Sequence, residues 1–314
     1  MRPGAIPAAA GAVLAAALLV AGCATPQVSA LLAQPPAGLP PRVELAAVPF
    51  YAQEDYQCGP AALATTLAHA GVAVTPEELV PQVYIPARKG SLQAEMLAAS
   101  RRHGLMGYQL APRLEDLLKE VADGTPAIVL QNLGLAFTPV WHYAVVVGYD
   151  LPAEEIILRS GTTRRLTMGL GSFERSWARG QHWAMLTLSP GRLPAAASED
   201  RYLASAAALE RVAPAAARRA YTTALERWPD NLIARIGLGN AAYALHDFGG
   251  AEAAYREATR RHPQSADAWN NLAQALLELA RRDEARAAAQ RAVDIGGPRL
   301  AQYQATLRAV AKSR

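Results

Sequence analysis

Cysteine is nearly absent from this sequence, with two in 314 residues. One of them, Cys23, closes an N-terminal apolar stretch at a processing site, so Cys58 stands alone in the body of the chain and a disulfide framework is excluded. The six histidines, His69, His103, His142, His182, His246 and His262, have no partner cysteines or carboxylates at ligand intervals, which excludes a metal site built from them. A phosphate-cradling glycine loop is missing, which excludes an ATPase of that type in this chain; no cofactor is expected. The net charge is only +4, without a basic cluster interleaved with aromatics, so nucleic acid is excluded as a partner.

What is there begins with Arg2, an apolar run from Ala5 to Val20, and then Val20-Ala21-Gly22-Cys23. The run suits a signal peptide and comes too early, and with too much alanine, for a membrane span. Val-Ala-Gly-Cys resembles the bacterial lipobox, which implies lipidation of Cys23, a mature chain anchored to a membrane surface, and, with Ala24 rather than Asp following, the periplasmic side of the outer membrane. Residues 24–42 carry five prolines and no sustained period, and are expected to be a flexible tether.

From residue 43 helices come first and a sheet afterwards, which predicts an α+β domain. A strand is expected over Val43–Tyr51, a helix from Gly59 to near Gly71, a second helix after Thr75 as cap and Pro76 as first residue, and a third capped by Ser91 and running to Gly104. Then follow a strand at Leu105–Leu110, a helix at Leu114–Val121 and strands at Ala127–Leu130, Val140–Asp150, Glu155–Arg159, Arg164–Thr167 and Trp183–Leu188, with a short helix near Phe173–Ala178.

The stretch Tyr51-Ala-Gln-Glu-Asp-Tyr-Gln-Cys-Gly-Pro-Ala-Ala-Leu places the lone thiol at a helix start, where the free backbone N–H groups and the macrodipole favour a thiolate. His142 opens the strongest strand and can take the thiol proton, so that the pair attacks a carbonyl. Gln53, Cys58-Gly59-Pro60-Ala61-Ala62-Leu63, Gly90-Ser91 and His142-Tyr143-Ala144-Val145-Val146 followed by Gly148-Tyr149-Asp150 resemble the bacteriocin-processing, double-glycine leader peptidases of papain-like fold. The resemblance covers residues 44–190. It implies Cys58 as nucleophile, His142 as general base and later acid, and Gln53, with the Cys58 N–H, as oxyanion donor; Gln57 is a substitute for Gln53.

Where that family places an Asp after the histidine strand, this chain reads Leu158-Arg159-Ser160-Gly161. Ser160 occupies the matching position as a group to orient His142. Asp150 is the alternative acid, at eight residues along one extended strand some 25 Å away, and a site with no orienter is the third. His182 is a rival base or a structural histidine; Trp141 and Trp183 line a cleft or the core; Arg159, Arg164 and Arg165 receive an acidic peptide or form a solvated edge. Specificity is expected in loops such as Gly134–Pro139.

Beyond residue 190 the period becomes helical and repeats. Ala217, Tyr221, Ala224 and Pro229 recur 34 residues later as Ala251, Tyr255, Ala258 and Pro263, and in part as Ala285, Ala289 and Ala292, with Trp269, Leu272 and Ala273 between. This is similar to the tetratricopeptide repeat, in which small residues let paired helices approach closely. Units at 198–231, 232–265 and 266–299 and a capping helix at 299–312 are expected, with Asn240, Asn270, Asn271 and Gln274 in a groove for a protein partner.

The domains expected are therefore 1–23 signal peptide, 24–42 tether, 43–190 papain-like cysteine peptidase, 191–199 linker and 200–314 repeats. Two functions follow: a lipid-anchored cysteine peptidase of the cell envelope acting on peptides or proteins, and a peptide-binding scaffold that has lost efficient catalysis.

Overall fold

The computed structural model describes residues 25–53 and 57–312; the apolar N-terminal run and Cys23 lie outside the described residues. The chain divides into two compact units. One takes the chain up to Ser91 together with Leu110–Leu186, and the other takes Leu92–Gln109 together with the chain from Thr187 onward. No helix among the described residues is long and apolar enough to cross a membrane.

The first unit opens with helix α1 (Pro26–Ala33), in the segment expected to be a tether. Its sequence alone explains little of it, since an isolated helix this short is marginal in water. Long-range contacts supply the rest: Val28 and Leu31 are buried, and the buried carboxylate of Glu174 accepts from the free N–H groups of Gln27 (3.0 Å) and Val28 (2.7 Å). The Gln27 side chain joins in, its amide oxygen accepting from Leu114 N at 2.5 Å and its Nε2 donating to Pro112 O at 3.1 Å.

Strand β1 is only Arg42–Glu44, shorter than expected. Helix α2 (Cys58–His69) follows, buried from Gly59 to Leu67. Pro60 sits in its first turn, where no intrahelical partner is lost, and full burial of Leu63 and Leu67 stabilises its seat by about 1.5–3 kcal/mol each. Helix α3 (Pro76–Val83) begins as predicted, Thr75 and Glu78 forming a reciprocal capping box. Gly90 and Ser91 do not cap a helix. They form strand β3 (Gly90–Ser91), antiparallel to β2 (Tyr84–Ile85); the next helix, α4 (Gln93–Arg102), starts after Leu92 without a side-chain cap.

After β4 (Met106–Gln109) and α5 (Leu114–Ala122) come β5 (Ala127–Asn132), β6 (Trp141–Asp150), β7 (Glu155–Ser160), β8 (Thr163–Gly169), α6 (Leu170–Arg179) and β9 (Ala184–Leu188). In the first unit the antiparallel sheet runs β9-β5-β6-β7-β8, and β1 pairs the far end of β6. Tyr143 to Tyr149 of β6 is buried throughout, as its apolar and β-branched run requires. Gly148 is needed there because a side chain would meet the Val43 carbonyl across the β1 pairing.

In the second unit α4 and β4 pack together, and the Ser198 N–H donates to the Tyr108 hydroxyl at 3.1 Å. Paired helices follow: α7 (Glu199–Ala207) with α8 (Pro214–Arg227), α9 (Leu232–Ala244) with α10 (Phe248–Arg261), α11 (Ala266–Glu278) with α12 (Arg282–Ile295), and last α13 (Leu300–Lys312). The repeated residues Ala217, Tyr221, Ala224, Ala251, Tyr255, Ala258, Ala285, Ala289 and Ala292 are all buried. Asn231, Asp247 and Ser265 cap α9, α10 and α11. Asn240 Oδ1 accepts from the Tyr255 hydroxyl (2.8 Å) and from Asn271 Nδ2 (3.3 Å). Gln274 is half-buried, whereas Asn270 is buried, which removes it from a groove surface.

Candidate active site

Cys58 is the first residue of α2 and a free, half-buried thiol. Gln57 is the N-cap, its carbonyl accepting from Ala61 N at 3.2 Å. Three backbone N–H groups turn toward the sulfur, those of Tyr143, Gly59 and Cys58 itself, and each pulls the thiol pKa down. Burial outweighs all three and pushes it above the ordinary thiol value. The helix start thus acts in the direction expected of it, but the resting group is a thiol rather than a preformed thiolate.

The Tyr143 amide belongs to the residue after His142, so β6 brings the histidine's backbone beside the sulfur. His142 lies opposite Gln131 of β5, and its Nε2 is 2.8 Å from Ser160 Oγ at the end of β7. That contact follows from register. Val145 pairs with Arg159, so Ser160 lies one step further along, beside Ala144, on the face that His142 shares by the two-residue period. With Nε2 occupied, Nδ1 is the ring nitrogen left for other chemistry. Burial lowers the His142 pKa, which favours the neutral imidazole.

Gln53 is tied to the same end of β7, its N–H donating to the Gly161 carbonyl at 3.1 Å. The segment before it is held by Arg159, which is buried rather than part of a solvated edge or a receptor for acidic peptides. Its guanidinium donates to the carbonyls of Val48 (3.3 Å), Ala46 (3.3 Å) and Arg164 (2.7 Å). Arg165 pairs with Glu44 at 2.9 Å. The role of Arg159 was invisible in sequence, since its three acceptors are backbone groups.

Asp150 stands at the opposite end of β6, paired with Arg42 at 2.9 Å, and does not meet His142. His182 takes a left-handed turn (φ 51°), and its ring packs edge-on against Trp177 at 4.8 Å. Trp183 is buried and meets Tyr143 edge-on at 5.8 Å, while Trp141 is half exposed. The Tyr143 hydroxyl donates to the Ser91 carbonyl at 3.3 Å. Among the described residues, no three His, Cys, Asp or Glu side chains are grouped to hold a metal.

Residues 45–183 match the Peptidase_C39 like family, and residues 202–245 and 236–299 match the tetratricopeptide repeat. A C39-like peptidase domain is followed by tetratricopeptide repeats. Among solved structures, a C39-like peptidase from Bacillus anthracis is 18% identical with a TM-score of 0.41, and the match covers 47% of this chain and 97% of that one. No curated protein matches the chain.

Proposed function

We propose that the chain is a thiol-dependent peptidase of the bacteriocin-processing type, anchored to the envelope through lipidated Cys23 and bringing a protein partner or substrate to itself through its repeats. The observation that supports the reading is the β6 start, where His142 Nε2 lies 2.8 Å from Ser160 Oγ and the next residue's N–H turns toward Cys58, while the backbone of Gln53 is bonded to Gly161 beside Ser160.

In the working tautomer Nε2–H donates to Ser160 Oγ and Nδ1 accepts the Cys58 proton as the sulfur attacks the substrate carbonyl. The oxyanion accepts from the Cys58 N–H and the Gln53 side chain, a donor of this kind being worth about 3 kcal/mol. Collapse breaks the C–N bond, and Nδ1–H gives its proton to the leaving amine. Water then attacks the thioester with His142 as base, and the sulfur leaves as thiol. Ser160 positions the ring but adds no negative charge, so the imidazolium is stabilised less than it would be by a carboxylate.

Incubating the full chain with a mixed peptide pool tests the reading. Wild type should cut, and Cys58→Ser and His142→Ala should each lose at least about a thousandfold in kcat/KM. Cleavage that survives Cys58→Ser sinks it. A weak or inactive peptide-binding scaffold is the second reading, favoured by the missing carboxylate beside His142 and the raised Cys58 pKa.

A further inference from the structure

The loop joining β5 to β6 presents an apolar surface that the fold leaves uncovered. Leu133, Leu135, Phe137, Val140 and Trp141 are 47%, 57%, 80%, 57% and 54% exposed, and residues 133–141 carry no charge. Large side chains so clustered and so exposed mark a contact surface rather than ordinary scatter.

The loop is also well braced. The buried Asn132 side chain accepts from Gly134 N (3.0 Å) and Val140 N (2.9 Å), closing the loop from within. Leu133 N donates to the Val140 carbonyl at 2.9 Å, and Thr138 N to Leu135 O at 3.2 Å. Arg179 of α6 fixes the base by donating to the Asn132 carbonyl at 3.1 and 2.8 Å. A side chain at Gly134 would strike the Thr138 carbonyl, so the loop closes this tightly only with glycine there. Asn132 is a turn-forming side chain two residues before a glycine, a signal already present in the sequence.

Position then decides what the surface meets. The loop runs directly into His142, through Val140 and Trp141. In the proposed mechanism His142 delivers the proton to the leaving amine, so the product that departs with that amine passes on the histidine's side. We infer that the Leu133–Trp141 loop reads apolar side chains on the amine side of the scissile bond, making peptides with large aliphatic or aromatic residues just after the cleaved bond the substrate class. This rests on the peptidase reading above. A bilayer or a second copy of the chain would also suit an apolar surface, but neither accounts for its running unbroken into the general base.

The experiment is cleavage-site profiling of the full chain with a random peptide library, read by mass spectrometry, for wild type and the double variant Phe137→Ser, Trp141→Ser. Both side chains are exposed, so the fold should survive; iodoacetamide alkylation of Cys58, which needs no peptide contact, checks that the site is intact. Wild type should favour large apolar residues in the first two positions after the cut, and the variant should lose that preference roughly tenfold, through KM. Cleavage without such a preference, or a preference untouched in the variant, overturns the inference and leaves the peptidase reading standing. Absence of any cleavage overturns both. The same variant is tested for binding to phosphatidylethanolamine–phosphatidylglycerol vesicles and for self-association by sedimentation; a loss in either with the cleavage preference unchanged assigns the loop to a membrane or to a second copy and overturns the inference.

Discussion

Ser160 Oγ lies 2.8 Å from His142 Nε2, a pairing between the end of one strand and the start of its neighbour. A hydroxyl fixes the ring as a hydrogen-bond partner without supplying charge. Ser160→Ala should therefore cost about 1–2 kcal/mol of transition-state stabilisation, roughly a tenfold loss in kcat/KM, with little change in KM. Ser160→Asp should raise kcat above the alanine variant, because a carboxylate favours the imidazolium. Equal activity in serine, alanine and aspartate variants would remove the pairing from the mechanism.

Burial moves the two central pKa values apart: the Cys58 thiol above its ordinary value and the His142 imidazole below its own. The pH consequences have opposite signs. His142 stays a competent base until the pH falls below the usual histidine range, and the free thiol does not ionise by itself until the pH exceeds the usual cysteine range. The profile of kcat/KM should hence be broad, with its acid limb below about 6.5 and its alkaline limb above about 8.5. Alkylation of Cys58 in wild type should keep climbing through pH 9. A plateau reached by pH 6 would instead mark a stable thiolate–imidazolium pair.

How much of this was legible in the sequence depended on where each element draws its support. The α3 start was legible, since Thr75, Pro76 and Glu78 satisfy one another within four residues. So was β6, whose unbroken apolar run admits little but a buried strand. Gly90-Ser91 misled because a serine before a helical pattern reads as a cap, whereas pairing with Tyr84 and Ile85 claimed it for a strand. At the site, the order of Cys58 and His142 was visible, but which group faces Nε2 depended on the register of β6 against β7, which no local pattern specifies.

Helix α1 is the clearest case of distant support, and it carries a prediction. The Glu174 carboxylate receives two backbone N–H groups from α1 while itself buried. Glu174→Ala removes both acceptors and leaves the two donors to find water, at about 2–4 kcal/mol in all. Val28, Leu31 and the Gln27 side chain should then fail to hold the helix, and limited proteolysis should cut residues 34–41 markedly faster than in wild type. An unchanged digestion pattern would show that apolar packing and the Gln27 side chain suffice.

In the repeats, Gly239 of α9 lies where a side chain would enter the ring of Tyr255 on α10. Two effects of Gly239→Ala oppose each other. Alanine is the better helix former, by about 1 kcal/mol. Against that, Tyr255 is buried and its hydroxyl donates to Asn240, so the ring can retreat only by leaving its cavity and breaking that bond. Overpacking of this kind costs about 1–3 kcal/mol and the lost hydrogen bond about 1 more, so the clash should win by about 1–3 kcal/mol. Gly249, at the exposed start of α10, has nothing within 4 Å of an added Cβ, so Gly249→Ala should be neutral or slightly stabilising. Urea unfolding of the two variants should separate them in midpoint while leaving the slope unchanged. If both behave alike, close helix approach at Gly239 is not what holds the second repeat to its partner helix.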